Sequence, residues 1–213
     1  MFTLLPRTRI DTNGLVIDTA KFFGVDKPIL TKEECEEFMA YAERGKGVEL
    51  KEAQVGNEGT GGAREDNRIR ICKTGWINFG VNEVPIVKTL YGKLSDTLGV
   101  ANTKFYGFNL STLNFIEGIQ YTLYEGEGSH YGWHIDMLPA PNNPRKISVS
   151  LVLSNEEDYK GGGLEVIGFE HKEYKIPQGH AVIFPSYLAH RVKPLKSGKR
   201  VSLVAWLIGD DFV

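Results

Sequence analysis

The feature that most restricts the fold is a change of hydrophobic period near residue 100. Upstream, two segments repeat apolar residues at helical spacing. In the first, Thr31-Lys-Glu-Glu34 matches a capping box, with Thr31 as N-cap and Glu34 reaching back. Cys35, Phe38, Met39 and Ala42 follow on one face, and Gly45 and Gly47 end the run, which predicts a helix over Lys32–Arg44. In the second, Pro85 suits the first turn, Val87, Leu90, Leu94 and Leu98 form a stripe, and Gly99 closes a helix over Pro85–Leu98. Past Ala101 the pattern gives way to short β runs. These are Phe105–Leu110, Asn114–Leu123, Gly132–Asp136, Ile147–Leu153, Gly163–Ile167, His180–Phe184 and Arg200–Leu207, most of them separated by Gly, Pro, Asn or Asp. Helices followed by closely spaced strands predict an α+β, mainly β fold, with the helices packed on a β-sandwich or barrel. No linker divides the chain, so a single domain is expected over 1–213, with a helical part and a Gly-rich loop in 1–100 and the β core in 101–213.

Composition excludes several classes of function. The chain has 213 residues, ordinary apolar and charged content, and a net charge of −2, which gives no overall attraction to nucleic acid or an anionic membrane. No run approaches the roughly 20 apolar residues needed to span a bilayer. The apolar run at Phe2–Leu5 is short and precedes Pro6, Arg7 and Arg9, so it does not read as a secretory signal. Cys35 and Cys72 form no C-x-x-C motif and read as reduced thiols of a cytoplasmic protein.

His134-Ile-Asp136 carries the chemistry. On a strand, residues i and i+2 share a face, so His134 and Asp136 aim at one point. One more imidazole would complete two His and one carboxylate on one face of a metal, the ligand set of non-heme Fe(II) oxygenases. His130, His171 and His180 have no carboxylate two residues away and read as structural or solvated. His190 lies in a loop, Pro185–His190, that follows the apolar strand and returns toward the sheet. Ten residues on, Arg200 opens a strand face shared with Ser202, Val204 and Trp206. An arginine there is costly to bury without an anion, and its guanidinium matches a carboxylate bidentately.

His134-x-Asp136 … His190 … Arg200 resembles the pattern of the Fe(II)- and 2-oxoglutarate-dependent dioxygenases, and more narrowly their prolyl 4-hydroxylase-like (PKHD-type) branch. Four segments carry the resemblance, which spans about Tyr121–Trp206: Tyr124-Glu-Gly-Glu-Gly-Ser-His-Tyr131-Gly-Trp-His134-Ile-Asp136; the strand Arg145–Ser154; Asp158-Tyr-Lys-Gly-Gly-Gly-Leu-Glu-Val166; and Gly179-x-Ala-Val-Ile-Phe-Pro185 … His190-x-Val … Pro194 … Gly198-x-Arg200-x-Ser202 … Trp206. It implies a double-stranded β-helix (jelly-roll) core with N-terminal helices on one sheet. It implies iron at His134, Asp136 and His190, and 2-oxoglutarate with its distal carboxylate on Arg200 and Ser202. Tyr124 would line the cosubstrate pocket, and Tyr131 and Trp206 would lie beside substrate or iron. Fe(II), 2-oxoglutarate and O2 are the implied cofactors, with ascorbate as a possible reductant. Two positions depart from related branches. Collagen-type enzymes usually carry lysine where Arg200 stands, and Val152 replaces a tyrosine of the oxygen-sensing branch.

The implied reaction hydroxylates an unactivated C–H bond, releasing succinate and CO2, and the branch favours a prolyl residue of a protein or peptide. Ser148, Ser150 and Val152 share one strand face and could leave room for the cosubstrate. The Gly-rich stretch Gln54–Ala63 sits where relatives carry a substrate-covering lid. The alternatives are an oxygenase of a small molecule such as a free amino acid, a nucleic-acid demethylase disfavoured by the acidic balance, and a non-catalytic jelly-roll binding module.

Overall fold

The computed structural model describes residues 2–4, 10–12, 15–17, 23–25, 27–44, 48–55, 63–78, 84–110, 118–137, 145–167 and 175–209, with side chains from residue 27 onward. The strands before residue 30 are β1 (Phe2–Leu4), β2 (Ile10–Thr12), β3 (Leu15–Ile17) and β4 (Phe23–Val25). Helix α1 (Lys32–Glu43) precedes β5 (Lys51–Glu52), β6 (Arg70–Ile71) and β7 (Lys73–Ile77), and α2 (Pro85–Ala101) follows. The remaining strands are β8 (Ile119–Glu125), β9 (His130–His134), β10 (Arg145–Val152), β11 (Tyr159–Gly161), β12 (Leu164–Val166), β13 (Ala181–Pro185), β14 (His190–Val192) and β15 (Leu195–Ile208). The large sheet runs β1-β4-β13-β10-β15-β8-β7-β5, with β11 on the start of β15, and the small sheet runs β12-β14-β9-β6. All pairings are antiparallel.

Both predicted helices form. The Thr31 hydroxyl accepts from the Glu34 N–H at 3.2 Å, and Glu34 accepts from the Thr31 N–H at 2.7 Å. Lys93 of α2 donates to the same Glu34 carboxylate at 2.6 Å, which ties the two helices together.

The period-two pattern of the central strands decides where the site can be. Ile147, Val149 and Leu151 on β10, Val201, Leu203, Ala205 and Leu207 on β15, and Ile119, Tyr121 and Leu123 on β8 pack with Phe38, Leu90, Leu94 and Leu98 of the helices. The alternate residues turn toward the small sheet. There Tyr124, Val152, Val182 and Phe184 meet Leu164, Val166, Val192 and Leu195 in a second apolar cluster. Between the sheets the same faces carry Thr122, Ser148, Ser150, Arg200 and Ser202, all buried. A polar lining inside a closed β structure marks a ligand cavity, because each such group needs a partner.

Three expectations are corrected. Phe105–Leu110 is not a strand: α2 runs into a π-helical turn, Asn102–Tyr106. Gly107, at φ 67°, closes that turn and donates its N–H to the Asn102 carbonyl at 2.8 Å. The Asn102 side chain also occupies both polar atoms of the Phe108 backbone, leaving none for a sheet ladder. His190 is not in a loop but opens β14. The first hundred residues are not only helical, because they place β1, β4, β5 and β7 in the large sheet and β6 in the small one. Most of the Gly-rich stretch (56–62), the start of the Asn114–Leu123 run (through 117) and His171 lie outside the described residues.

Candidate metal and carboxylate site

His134 is the last residue of β9, and β9 pairs with β14 so that His134 stands directly opposite His190. Cross-strand neighbours lie close enough for side chains to touch, and the two imidazole centroids are 4.1 Å apart. Asp136 falls just beyond the strand. Its N–H donates to the Ser186 carbonyl at 3.0 Å, which turns the chain back and presents the carboxylate to both rings. Nε2 of His134 lies 3.7 Å from Oδ1, and Nε2 of His190 lies 3.6 Å from Oδ2. The three side chains offer ligand atoms within 4.8 Å of one another, the one such cluster among the described residues.

The donor set suits a divalent metal. Nδ1 of His134 meets the Gly132 carbonyl at 2.8 Å, and Nδ1 of His190 meets that of Leu188 at 2.9 Å. A carbonyl can only accept, so both Nδ1 atoms carry a proton and both Nε2 atoms face the carboxylate. Burial, followed by the charge of His190, pushes His134 down to about 3, against the pull of Asp136, so its imidazole is neutral near pH 7. Burial pushes the Asp136 carboxyl up. The two histidines, the Ser148 hydroxyl and the Trp206 indole outweigh that, and it ends below its ordinary value. Ser148 donates to Oδ2 at 2.6 Å and is itself paired with Ser186 at 2.9 Å. Ser148 is thus buried and in use as the support of Asp136.

The predicted residues converge. Tyr131 lies flat on His134, ring centroids 3.5 Å apart at 14°. Trp206 faces Ser148 across β15 and β10, and Arg145 lies over its ring at 3.8 Å. Arg200 stands opposite Tyr124 across β15 and β8, with its guanidinium carbon 5.4 Å from the ring centroid. Arg200 is 2% exposed, and its guanidinium donates to the Ser202 hydroxyl at 3.2 Å; no carboxylate pairs with it among the described residues. A fixed cation inside the barrel without an anion fits an anionic ligand. Gly162, at φ 68°, makes room for it: a Cβ there would come 2.5 Å from Leu195 Cδ1 and 3.1 Å from Arg200 Cδ. Among the described residues, His130 meets backbone carbonyls through Nδ1 and Nε2, and His180 meets one through Nδ1.

Several lining residues escaped sequence reading. Arg70, Gln120 and Arg145 line an open groove of about 680 Å³ that reaches His134 and Asp136. Ser186 and Arg145 also hold the Asp136 segment, Arg145 donating to the Asp136 carbonyl at 3.1 Å. The sequence signal for Arg70 was an arginine between two isoleucines, Ile69 and Ile71, in a segment whose strand was not foreseen.

A jelly roll with two imidazoles, one carboxylate and a buried free arginine defines the class of facial-triad metal proteins that also hold a carboxylate ligand. Comparison narrows this: residues 119–208 match the 2OG-Fe(II) oxygenase superfamily. A PKHD-type hydroxylase of Synechococcus sp. (strain CC9605) is 39% identical over 82 residues, which is 38% of this chain and 37% of the relative. A PKHD-type hydroxylase of Prochlorococcus marinus (strain MIT 9515) is 31% identical over 132 residues, 61% of this chain and 58% of the relative. The matched segments thus span less than two thirds of these relatives. A Pseudomonas putida prolyl-4-hydroxylase structure shares the fold, with TM-score 0.66, 22% identity, and coverage of 91% of this chain and 95% of that one. So does a Trichoplax adhaerens prolyl hydroxylase solved with a hypoxia-inducible-factor peptide fragment, at TM-score 0.70, 20% identity, and coverage of 90% and 84%. No helix among the described residues is long and apolar enough to cross a membrane.

Proposed function

We propose that this protein is an Fe(II)- and 2-oxoglutarate-dependent dioxygenase that hydroxylates a prolyl residue of a protein or peptide, releasing succinate and CO2. The observation that carries the reading is Arg200: a buried cation with no carboxylate partner among the described residues, on the same strand face as Ser202 and Trp206, which line the cavity that holds the triad. His134, Asp136 and His190 would hold Fe(II). Bound there, iron supplies O2 activation coupled to decarboxylation of 2-oxoglutarate. Arg200 and Ser202 orient the distal carboxylate of the cosubstrate, and Tyr124 walls its pocket. Ser148 keeps Asp136 ionised and aimed. Tyr131 fixes the plane of His134, and Trp206 with Tyr131 bounds the substrate side. Among cofactors, ascorbate would act only as an external reductant.

An extended substrate is supported by the shape of the surface. The 680 Å³ groove is continuous with a second of about 440 Å³, the two sharing Gln54, Arg70, Trp76 and Gln120. Exposed Trp76, Ile69 and Ile135 rim it. A free amino acid would leave most of this length empty. The prolyl assignment rests on the PKHD-type relatives and the prolyl hydroxylase fold neighbours, which is analogy. We also read the chain as one domain, with strands from before residue 100 in both sheets, and as cytoplasmic, with Cys35 and Cys72 both buried free thiols.

The test is metal-dependent conversion of 2-oxoglutarate to succinate by the purified protein, then a peptide panel with and without proline. Succinate formation stimulated by proline peptides is expected. Turnover stimulated only by free amino acids would move the substrate class, and none under any condition would favour a binding module.

A further inference from the structure

Arg70 is a second buried guanidinium with no carboxylate partner among the described residues. It is 8% exposed, and its partners among the described residues are neutral: Nε donates to Cys72 Sγ at 3.1 Å, Nη2 donates to Gln120 Oε1 at 3.0 Å, and the Tyr131 ring lies 4.2 Å from its central carbon. A guanidinium has five N–H donors. Two are used here, and the other three meet no protein acceptor among the described residues.

The side chain is held rigidly. Arg70 stands opposite Tyr131 across β6 and β9, and Tyr131 stacks on His134, so guanidinium, phenol and imidazole form one column. Its N–H also donates to the Asp66 carbonyl at 2.9 Å. Arg70 and Gln120 line both open grooves at the point where they join, as well as the narrow cavity below. Anything lying along the groove toward His134 passes these two side chains.

A fixed, desolvated cation with spare donors favours an anion over a neutral carbonyl. We infer that Arg70, oriented by Gln120, selects a primary substrate bearing a carboxylate near the position to be hydroxylated. This rests on the dioxygenase reading above. Ser202 lines the narrow cavity with Arg200 bonded to it, which offers one carboxylate site there, whereas Arg70 also faces the open grooves. The carboxylate could be an aspartate or glutamate flanking the target residue in a peptide, or the terminal carboxylate of an amino acid.

The test measures binding to the protein loaded with Mn(II) and N-oxalylglycine, which cannot turn over. One arm uses acetylated, amidated pentapeptides with a central proline and alanine flanks, each flank replaced in turn by aspartate or asparagine. The other compares free proline with prolinamide. The expected result is one position, in one arm, at which the carboxylate binds roughly ten- to a hundredfold tighter than its amide. Arg70→Gln should bring that ratio close to one. So should Gln120→Glu, which seats a carboxylate on the guanidinium from within the protein. A flat ratio in both arms would overturn the inference, as would a ratio that neither variant moves. It would also fail if Arg70→Gln weakened N-oxalylglycine binding and left the ratio intact, because Arg70 would then serve the cosubstrate. Metal-dependent succinate formation by the unmodified protein is read separately. Its absence sinks the dioxygenase reading, whereas its presence with a flat ratio sinks only the carboxylate assignment.

Discussion

Replacing Arg200 with methionine should raise stability and destroy cosubstrate binding at once. The side chain is 2% exposed and gains little from its surroundings: one hydrogen bond at 3.2 Å to Ser202 and one ring face at 5.4 Å. Those are worth about 1 kcal/mol and roughly 0.5–2 kcal/mol respectively. Against them stands a desolvation penalty of several kcal/mol for a buried ion with no counter-charge among the described residues. Methionine has similar length, fills the same channel beside Gly162, and removes the penalty. The net expectation without ligand is a gain on the order of 1 kcal/mol, or about 2–4 °C in melting temperature for a chain of this size. Loss of the arginine from a carboxylate complex costs roughly 2–5 kcal/mol, so the 2-oxoglutarate concentration for half-saturation should rise at least about thirtyfold. Thermal unfolding of both proteins with and without 2-oxoglutarate and Mn(II) reads both quantities. A variant that melts lower than the parent and is still stabilised by 2-oxoglutarate would refute the argument, because Arg200 would then be a paired structural residue.

Other expectations follow from the same geometry. His134→Ala and Asp136→Ala should each abolish 2-oxoglutarate turnover while near-native circular dichroism persists; normal succinate output from either would remove the triad from the mechanism. Gly162→Ala forces a Cβ against Leu195 and Arg200 at a positive φ. It should cost roughly 1–3 kcal/mol of stability and raise the 2-oxoglutarate requirement, measured by denaturant titration and by saturation kinetics. Asp66 is held by the Arg68 fork, with hydrogen bonds of 3.0 and 2.8 Å, which keeps its carboxyl down at about 2 against an ordinary 3.8. A folded-state value below the unfolded one means its contribution is complete above about pH 4 and is lost as pH falls toward 2. Amide exchange across residues 66–71, the turn that carries Arg70, should therefore quicken over that acid range. Asp66→Asn should show fast exchange already at neutral pH, and an unchanged profile in the variant would sink the assignment.

Much of the site was legible in one dimension because its parts are local. His134 and Asp136 are two residues apart, Arg200 and Ser202 lie two apart on one strand, and the capping box at Thr31 announces its helix within four residues. The alternation of β10 and β15 even separated the helix-facing residues from those lining the cavity. What stayed hidden depended on pairing between distant segments. Nothing near His190 states that it opens a strand opposite His134, since that register is set by β9 and β14 meeting across the small sheet. Phe105–Leu110 read as a strand because its composition suits one, but the Asn102 side chain takes the backbone groups a strand would need.

By itself, then, the sequence determined the helices, most strands, the triad and the arginine beside it, through periodicities and spacings that local backbone geometry enforces. Only the tertiary structure decided that Arg200 is buried with no carboxylate partner among the described residues, that Ser148 supports Asp136, and that Arg70 and Gln120 stand together in the groove wall. Burial and charge pairing are properties of surfaces brought together from distant parts of the chain. Arg70 and Gln120 lie fifty residues apart in sequence and 3.0 Å apart in space.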